Sequence, residues 1–191
     1  MICWINGSFG AGKTTLAGEL RRRCPDALQY DPEEVGFMLR DVVPLAPSGD
    51  FQDLRAWRLL VVEAGRVLSG QYGRLVITPM TVVNPLYVRE IFGGLAGYRV
   101  PVRHFFLNVP AARLRERISA QVIHPDDMAR DAEVRRWRLA QVDRCAAAMD
   151  ALPSDTVILD GEMPAGRLAD EVLDVLGRDA RFKVSRGAAG G

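Results

Sequence analysis

Eight residues near the start of the chain carry the clearest chemical signal, since Gly7 to Thr14 read GSFGAGKT. They fit the pattern G-x-x-x-x-G-K-[ST], which cradles the phosphates of a nucleotide. Glycine lets the backbone curl tightly and approach an anion closely, so that several N–H groups can point at one polyphosphate. Lys13 would neutralise the β- and γ-phosphates. The pattern predicts that the chain binds a nucleoside triphosphate.

The predicted nucleotide site extends from this loop into the helix that follows it. The N–H groups in the first turn of a helix lack intrahelical partners, and the dipole there is positive, so both favour an anion. The Thr14 hydroxyl is the predicted ligand of Mg²⁺, and Thr15 could donate to the α-phosphate. The expected cofactors are ATP and Mg²⁺, and the residues expected to hold ATP are Gly7, Ser8, Phe9, Gly10, Ala11, Gly12, Lys13, Thr14 and Thr15.

Asp31 is a candidate catalytic carboxylate outside the loop. It follows the predicted second strand and precedes Pro32-Glu33-Glu34, a sequence typical of a helix start. Beside the loop, its carboxylate could accept the proton of an acceptor hydroxyl or orient that hydroxyl for in-line attack. The alternative is a plain N-cap of the helix, and one side chain can serve both roles.

Arginines that could bind phosphate or stack on a base occur in two later segments. Arg117, preceded one turn earlier by Arg113, lies in a predicted helix and could contact adenine or phosphate. Arg130 lies in the charged segment QVIHPDDMARDAE, with Arg135 and Arg136 just after it. This segment could close over the nucleotide as a lid and bring an arginine to the transferring phosphoryl group. The alternatives are a solvated helix face for Arg117 and an ordinary surface loop for the charged segment.

The third predicted strand, RLVITPMT, ends without an aspartate. Many P-loop proteins hold Mg²⁺ with a carboxylate at that place. Here only hydroxyls are available, and Thr78 or Thr81 could bond a metal-bound water. The sequence also lacks an Asn-Lys-x-Asp motif for base recognition. Both observations argue against motor ATPases and GTPases and favour small kinases.

These candidates need a sheet that brings them to one edge. Strands alternate with helices five times, which predicts an α/β fold, a P-loop NTPase three-layer α/β/α sandwich with a five-stranded parallel sheet. Ligands bind at the carboxyl ends of such strands. The pattern predicts, among others, helices over 51–69 and 134–149. The predicted domain spans 1–177, with acceptor-binding helices at about 32–70, a small helical lid at about 121–134 and a mobile tail at 178–191.

Composition narrows the class of protein further. The 191 residues carry a net charge of +1, so there is no general positive field, and nucleic acid is not an expected partner. The sequence has no leader-like start and no apolar run of the roughly 18 residues that span a bilayer. Its three cysteines are scattered without metal-ligand spacing. We therefore expect a cytoplasmic protein without stable membrane insertion.

Several longer stretches resemble the tunicamycin-resistance proteins of bacteria. They are WINGSFGAGKTTLAGEL, YDPEEVGFMLRDVVP, DFQDLRAWR, ITPMTVVNP and QVDRC, and the similarity runs from Met1 to about Leu176. The glycine loop alone is unspecific, whereas YDPEEVGF and PMTVVNP carry the assignment. The fold also looks like that of nucleoside-monophosphate kinases and chloramphenicol phosphotransferase. In those kinases a carboxylate after the second strand prepares the acceptor, a role that the resemblance transfers to Asp31.

The resemblance implies an ATP-dependent phosphotransferase, with an alcohol group as acceptor, that gives resistance to the nucleoside antibiotic tunicamycin. Its catalytic residues would be Lys13, Asp31, Arg117 and Arg130. The acceptor, tunicamycin or a similar nucleoside or sugar, would contact Asp31, Arg40, Trp57 and Thr81, although Trp57 at helical spacing also suits a core position. Two alternatives stay open: an ATP-gated protein that sequesters the antibiotic without chemistry, and a metabolic nucleoside or sugar kinase.

Overall fold

Five short strands form one parallel sheet in the computed structural model, which describes residues 1–179. The order across the sheet is β2-β3-β1-β4-β5. The first strand is therefore central, and both of its hydrogen-bonding edges are filled. The strands are β1 (Ile2–Gly7), β2 (Leu28–Gln29), β3 (Val76–Pro79), β4 (Val102–Asn108) and β5 (Val157–Asp160).

Helices cover both faces of this sheet. Side chains of β1 alternate between the faces, as the two-residue period of a strand requires. Cys3 and Ile5 pack in one hydrophobic core, whereas Ile2 and Trp4 pack in another. The predicted α/β sandwich with a five-stranded parallel sheet is thus confirmed. The helices are α1 (Lys13–Arg23), α2 (Pro32–Val42), α3 (Arg55–Tyr72), α4 (Pro85–Gly97), α5 (Ala111–Ala120), α6 (Met128–Ala147) and α7 (Ala165–Arg178).

Two helices begin several residues away from their predicted first residues. The helix expected over 51–69 is divided into a 3₁₀ turn at Phe51–Asp53 and α3, because Leu54 has an extended backbone between them. The helix expected over 134–149 begins earlier, at Met128, where the Asp127 side chain accepts a hydrogen bond from Arg130 N and caps it. The second half of the expected lid segment is therefore helical.

The carboxyl-terminal part of the prediction is only partly covered. Arg178 belongs to α7 and not to the predicted tail. Residues 180–191, the rest of that tail, lie outside the described residues. Within residues 1–179, none of the helices has both the length and the apolar character that crossing a membrane requires.

Candidate functional site

The loop between β1 and α1 has the backbone of an anion cradle. Gly7 and Gly12 have φ angles of 141° and 98°, conformations that side chains other than glycine rarely adopt. The first hydrogen bond within α1 runs from Leu16 N to Gly12 O, at 3.0 Å. The N–H groups of Lys13, Thr14 and Thr15 come before it and have no partner inside the helix. These groups fit a polyphosphate at the positive end of the helix dipole.

Lys13 lies folded back onto the loop. Its Nζ donates to Gly7 O at 3.0 Å and to Ser8 O at 2.8 Å. Burial is the main reason why the pKa of Lys13 falls from its ordinary value to about 8, and the charges of Glu33 and Asp31 oppose that shift. The ammonium group is therefore held close to the place where phosphates would bind, and its hydrogen bonds within residues 1–179 go to carbonyl oxygens that it can leave.

Phe9, at the tip of the loop, brings α6 to the site. Its ring meets the edge of Trp137 with 5.0 Å between centroids. The Arg138 guanidinium lies 5.5 Å from the centre of the same ring, and the Lys13 Nζ is also at 5.5 Å. Arg138 is tethered through Nη1 to Gln121 Oε1 at 3.2 Å. A second cation thus lies beside the phosphate loop.

Two carboxylates stand at the start of α2. Asp31 has an extended backbone, and its Oδ1 accepts from Glu33 N at 2.9 Å, so it caps the helix as the sequence predicts. Burial and the neighbouring Asp31 raise the pKa of Glu33, while the positive charges of Lys13 and Arg138 oppose the rise. Glu33 therefore belongs to the same electrostatic cluster as the loop lysine and Arg138.

Arg117 lines a pocket that opens beside the loop. Its Nη1 donates to Gly161 O at 3.2 Å, which joins α5 to the segment between β5 and α7. The pocket has a volume of about 470 Å³. Its wall includes loop residues and apolar side chains: Gly10, Ala11, Gly12, Thr15, Met163 and Leu168. The location and size of this pocket suit a nucleobase.

Two residues predicted to bind the acceptor are buried instead. Trp57 is fully inaccessible, and its Nε1 donates to Pro32 O at 3.0 Å. Thr81 is 1% exposed, and its hydroxyl donates to Gly7 O at 2.8 Å. Their contact with the acceptor stays a prediction, and the polar groups of both side chains are already bonded within the protein. Trp57 bonds to the first residue of α2, and Thr81 bonds to the first residue of the glycine loop.

Arg40 and Arg130 are both exposed. The guanidinium of Arg40 lies over the rings of Phe37 and Phe51, at 5.6 and 5.2 Å from their centres. Arg40 thus lies on the predicted acceptor side. Arg130 is in the first turn of α6, and its backbone N–H bonds to Asp127. Within residues 1–179, α6 therefore brings Arg138, and not Arg130, against the loop.

Glu33 and Arg138 are the site residues that sequence reasoning missed. Glu33 was visible only as an acid in the first turn of a helix. Arg138 lies seven residues after Asp131 and seven before Cys145, and both of those residues are buried in α6. Asp131 and Arg138 are charged, so no apolar periodicity in the sequence indicated this face of the helix.

Few side chains at the site could ligate a metal ion. Thr14 is exposed at the start of α1, where its hydroxyl can reach an ion bound to phosphates. Between residues 1 and 179, no three His, Cys, Asp or Glu side chains gather into a cluster that could hold a metal. The end of β3 supplies backbone groups and the Thr81 hydroxyl in place of a carboxylate. Thr14 is therefore the loop residue that fits a magnesium ion shared with nucleotide phosphates.

Known proteins share this architecture. The model of the AAA domain family matches residues 2–145. The structure of the tunicamycin resistance protein of Deinococcus radiodurans is similar, with a TM-score of 0.69 and 26% identity over 92% of this chain and 95% of that one. A sugar kinase from Janibacter sp. HTCC2649 gives a TM-score of 0.66 and 19% identity over 100% and 98% of the two chains. A gluconokinase from Sinorhizobium meliloti 1021 gives a TM-score of 0.59 and 17% identity, over 92% of this chain and 91% of that one.

No curated protein sequence matches the chain. The resemblance to tunicamycin-resistance proteins that the sequence indicated is confirmed by the Deinococcus radiodurans structure. The sugar kinase and the gluconokinase are too different in sequence to show more than a shared fold. Fold and family therefore agree with the geometry of the loop.

Proposed function

The chain belongs to the AAA domain family, and from that premise we propose that it is an ATP-dependent phosphotransferase acting on a hydroxyl group of a small molecule. The observation that carries the proposal is the glycine loop with two cations on it, since Lys13 is bonded to its carbonyls and Arg138 lies over the ring of Phe9. The charge of Glu33, at the start of α2, acts on the pKa of Lys13. Two cations suit the charge of a transferring phosphoryl group, and a carboxylate suits an acceptor hydroxyl. We propose a cytoplasmic location for this activity.

On the donor side, ATP would supply the phosphoryl group. The N–H groups from Gly7 to Thr15 would hold its phosphates, and Thr14 would help to hold Mg²⁺. Lys13 would exchange its two carbonyl partners for phosphate oxygens. Arg117 would border the base, since it lines the pocket next to the start of α1. Arg138, tethered by Gln121, would face the γ-phosphoryl group.

On the acceptor side, the two carboxylates at the start of α2 have different tasks. One oxygen of Asp31 is committed to the helix cap, and its other oxygen can accept the proton of the acceptor hydroxyl. Glu33 would bond to and orient the acceptor, because its raised pKa lets it carry a proton more readily than an exposed glutamate. Arg40 would contact more distant parts of the substrate.

Tunicamycin or a similar nucleoside or sugar is the proposed acceptor. The likeness to the Deinococcus radiodurans tunicamycin resistance protein supports this choice. A second candidate function is ATP-gated binding of the antibiotic without chemistry. The lack of a carboxylate at the end of β3 favours it, because many P-loop enzymes use that carboxylate to hold their metal.

Mass spectrometry of tunicamycin incubated with the protein and Mg·ATP separates these functions. Transfer adds one phosphoryl mass to the antibiotic and produces one ADP per product. Asp31→Asn keeps a helix cap, because asparagine also caps well, yet it removes the base, so we expect the product to disappear while the fold persists. Tight binding of unmodified tunicamycin would support sequestration. Release of ADP with another hydroxyl compound, and none with tunicamycin, would identify a metabolic kinase.

A further inference from the structure

The carbonyl oxygen of Gly7 has two donors of different kinds. Lys13 Nζ lies at 3.0 Å from it, and Thr81 Oγ1 lies at 2.8 Å. Lysine carries a flexible side chain that must leave this carbonyl to reach a phosphate. Thr81 is fixed, since it is 1% exposed and belongs to the turn that follows β3. One carbonyl at the start of the loop thus has both a movable and a permanent partner.

The turn that carries Thr81 is held from two sides. The Asn6 side chain accepts from Val82 N at 3.0 Å and donates to Val82 O at 2.7 Å, as a neighbouring strand would. The Gln52 side chain donates to Thr81 O at 3.0 Å. Gln52 is itself buried, and its own carbonyl accepts from Arg58 Nη1 at 2.6 Å. These bonds hold the backbone of the turn in place, so the Thr81 hydroxyl keeps its position when the Lys13 side chain moves.

We propose that Thr81 is a positioning residue, whose hydroxyl keeps the Gly7 carbonyl bonded when Lys13 leaves it for a nucleotide phosphate. A buried carbonyl without any partner is unfavourable, and Gly7 and Thr81 are both buried. The hydroxyl removes that penalty from nucleotide binding. This inference rests on the proposed binding of ATP at the loop, and it explains why a threonine-containing turn stands where many P-loop proteins have an aspartate.

Calorimetry with the magnesium complex of a nonhydrolysable ATP analogue tests this role. Thr81→Val keeps the side-chain shape and removes the donor, so we expect the Kd to rise about tenfold, the order of effect of one buried unpaired polar group. Thr81→Ser keeps the donor and should stay within about twofold of the parent protein. In turnover assays, Thr81→Val should raise the KM for ATP and leave kcat nearly unchanged, because the hydroxyl acts before the chemical step.

Four results would overturn the proposal. Thr81→Val could bind the analogue as tightly as the parent, or Thr81→Ser could be as weak as Thr81→Val. If Thr81→Val does not fold, Gln52→Met serves instead. It leaves the Thr81 hydroxyl in place but removes the bond from Gln52 to Thr81 O, which holds the turn. An unchanged Kd for a folded Gln52→Met protein would contradict the role of the turn. Failure of the parent protein to bind the analogue would refute the proposed function itself, and the inference with it.

Discussion

Charge at the candidate site is distributed over three elements. Lys13 begins α1, Glu33 lies in the first turn of α2, and Arg138 lies in the middle of α6. Burial lowers the pKa of Lys13 and of Arg138 and raises that of Glu33, so each group is less stable in its charged form than it would be in water. Groups desolvated in this way interact more strongly with a phosphoryl group that brings its own charge.

Arg138→Met should reduce phosphoryl transfer strongly. Loss of one preorganised donor to a transition state lowers kcat by about 100-fold or more, whereas the fold should persist because Arg138 is only half-buried. Steady-state kinetics with the acceptor that accumulates product would measure the effect. Arg136→Met is the matched control, since Arg136 lies on the same helix and is exposed. Equal activity of the two variants would rule out Arg138 as a catalytic residue.

The sequence predicted the loop residues better than the residues around it. All residues from Gly7 to Thr15 are contiguous, so their spacing alone identifies the cradle. Arg138 is separated from the loop by more than a hundred residues, and its position depends on the ring of Phe9. Trp57 and Thr81 have the chemistry of ligand contacts, but partners on other elements use their polar groups. A pattern of residue types cannot show whether a donor is already occupied.

At the scale of elements, one buried carboxylate links α6 to the segment before it. Asp131 Oδ1 accepts from Ile123 N at 2.6 Å and from His124 N at 3.1 Å. Its other oxygen pairs with Arg135, which also donates to Gln121 O at 3.1 Å. The two backbone bonds lower the pKa of Asp131. The connection between α5 and α6 is therefore folded against the helix and is ordered by a side chain.

Asp131→Asn should loosen the connection between α5 and α6. The amide cannot pair with Arg135 as a carboxylate does, so we expect faster hydrogen exchange at residues 121–127 and weaker binding of Mg·ATP. Exchange followed by mass spectrometry would measure the first effect, and calorimetry the second. Asp143→Asn is a suitable control, because Asp143 is on the same helix in an exposed pair with Arg115. If exchange in 121–127 is the same in both variants, Asp131 does not order the segment.

The earlier start of α6 has a local cause that the sequence contains. Asp127 is an N-cap, and Asp131 lies one turn later, so acids that suggested a flexible charged loop instead begin a helix. By contrast, Asp31 followed by Pro32 predicted the correct start of α2. The start of α2 was easier to predict because Pro32 fixes the backbone at its first helical position. The residue after Asp127 is Met128, which gives no such signal for the start of α6.

Across the whole molecule, a buried polar chain crosses the sheet from the loop towards β5. Gly7 N donates to Asn6 Oδ1, and Asn6 Nδ2 lies 3.1 Å from His104 Nε2. Because the amide is a donor there, Nε2 accepts and Nδ1 donates to Thr156 Oγ1 at 2.8 Å. Burial lowers the pKa of His104 to about 4, against the effect of Asp155. The imidazole is neutral at physiological pH, as expected for a structural histidine.

His104 should make the fold sensitive to acid. Its pKa is lower in the folded chain than in the unfolded one, so its contribution to stability is complete above about pH 6.5 and is lost as the pH falls towards 4. Between pH 7 and 4.5 this loss amounts to about 2 kcal/mol. Urea unfolding of His104→Gln should show a smaller decrease over that range than the parent protein. His124→Gln, the other histidine, should keep the full decrease, and a parallel loss in all three proteins would contradict this assignment.

The overall architecture was predictable because it depends on the order of apolar strands and helices. Alternation five times along the chain allows few folds other than a parallel sheet between two helical layers. The same alternation does not predict the strand order, since it says which segments are strands but not which strands are neighbours. Side chains such as Asn6, which fixes the turn at Val82, specify the arrangement that forms.

The central place of β1 has a consequence for biosynthesis. Both neighbours of β1 lie later in the chain, at 76–79 and 102–108. A ribosome therefore releases the glycine loop long before it has made the two strands between which the loop is held. The loop can therefore reach its folded shape only after the chain has been translated as far as β4, and until then its first strand is an unpaired apolar segment of the kind that chaperones bind.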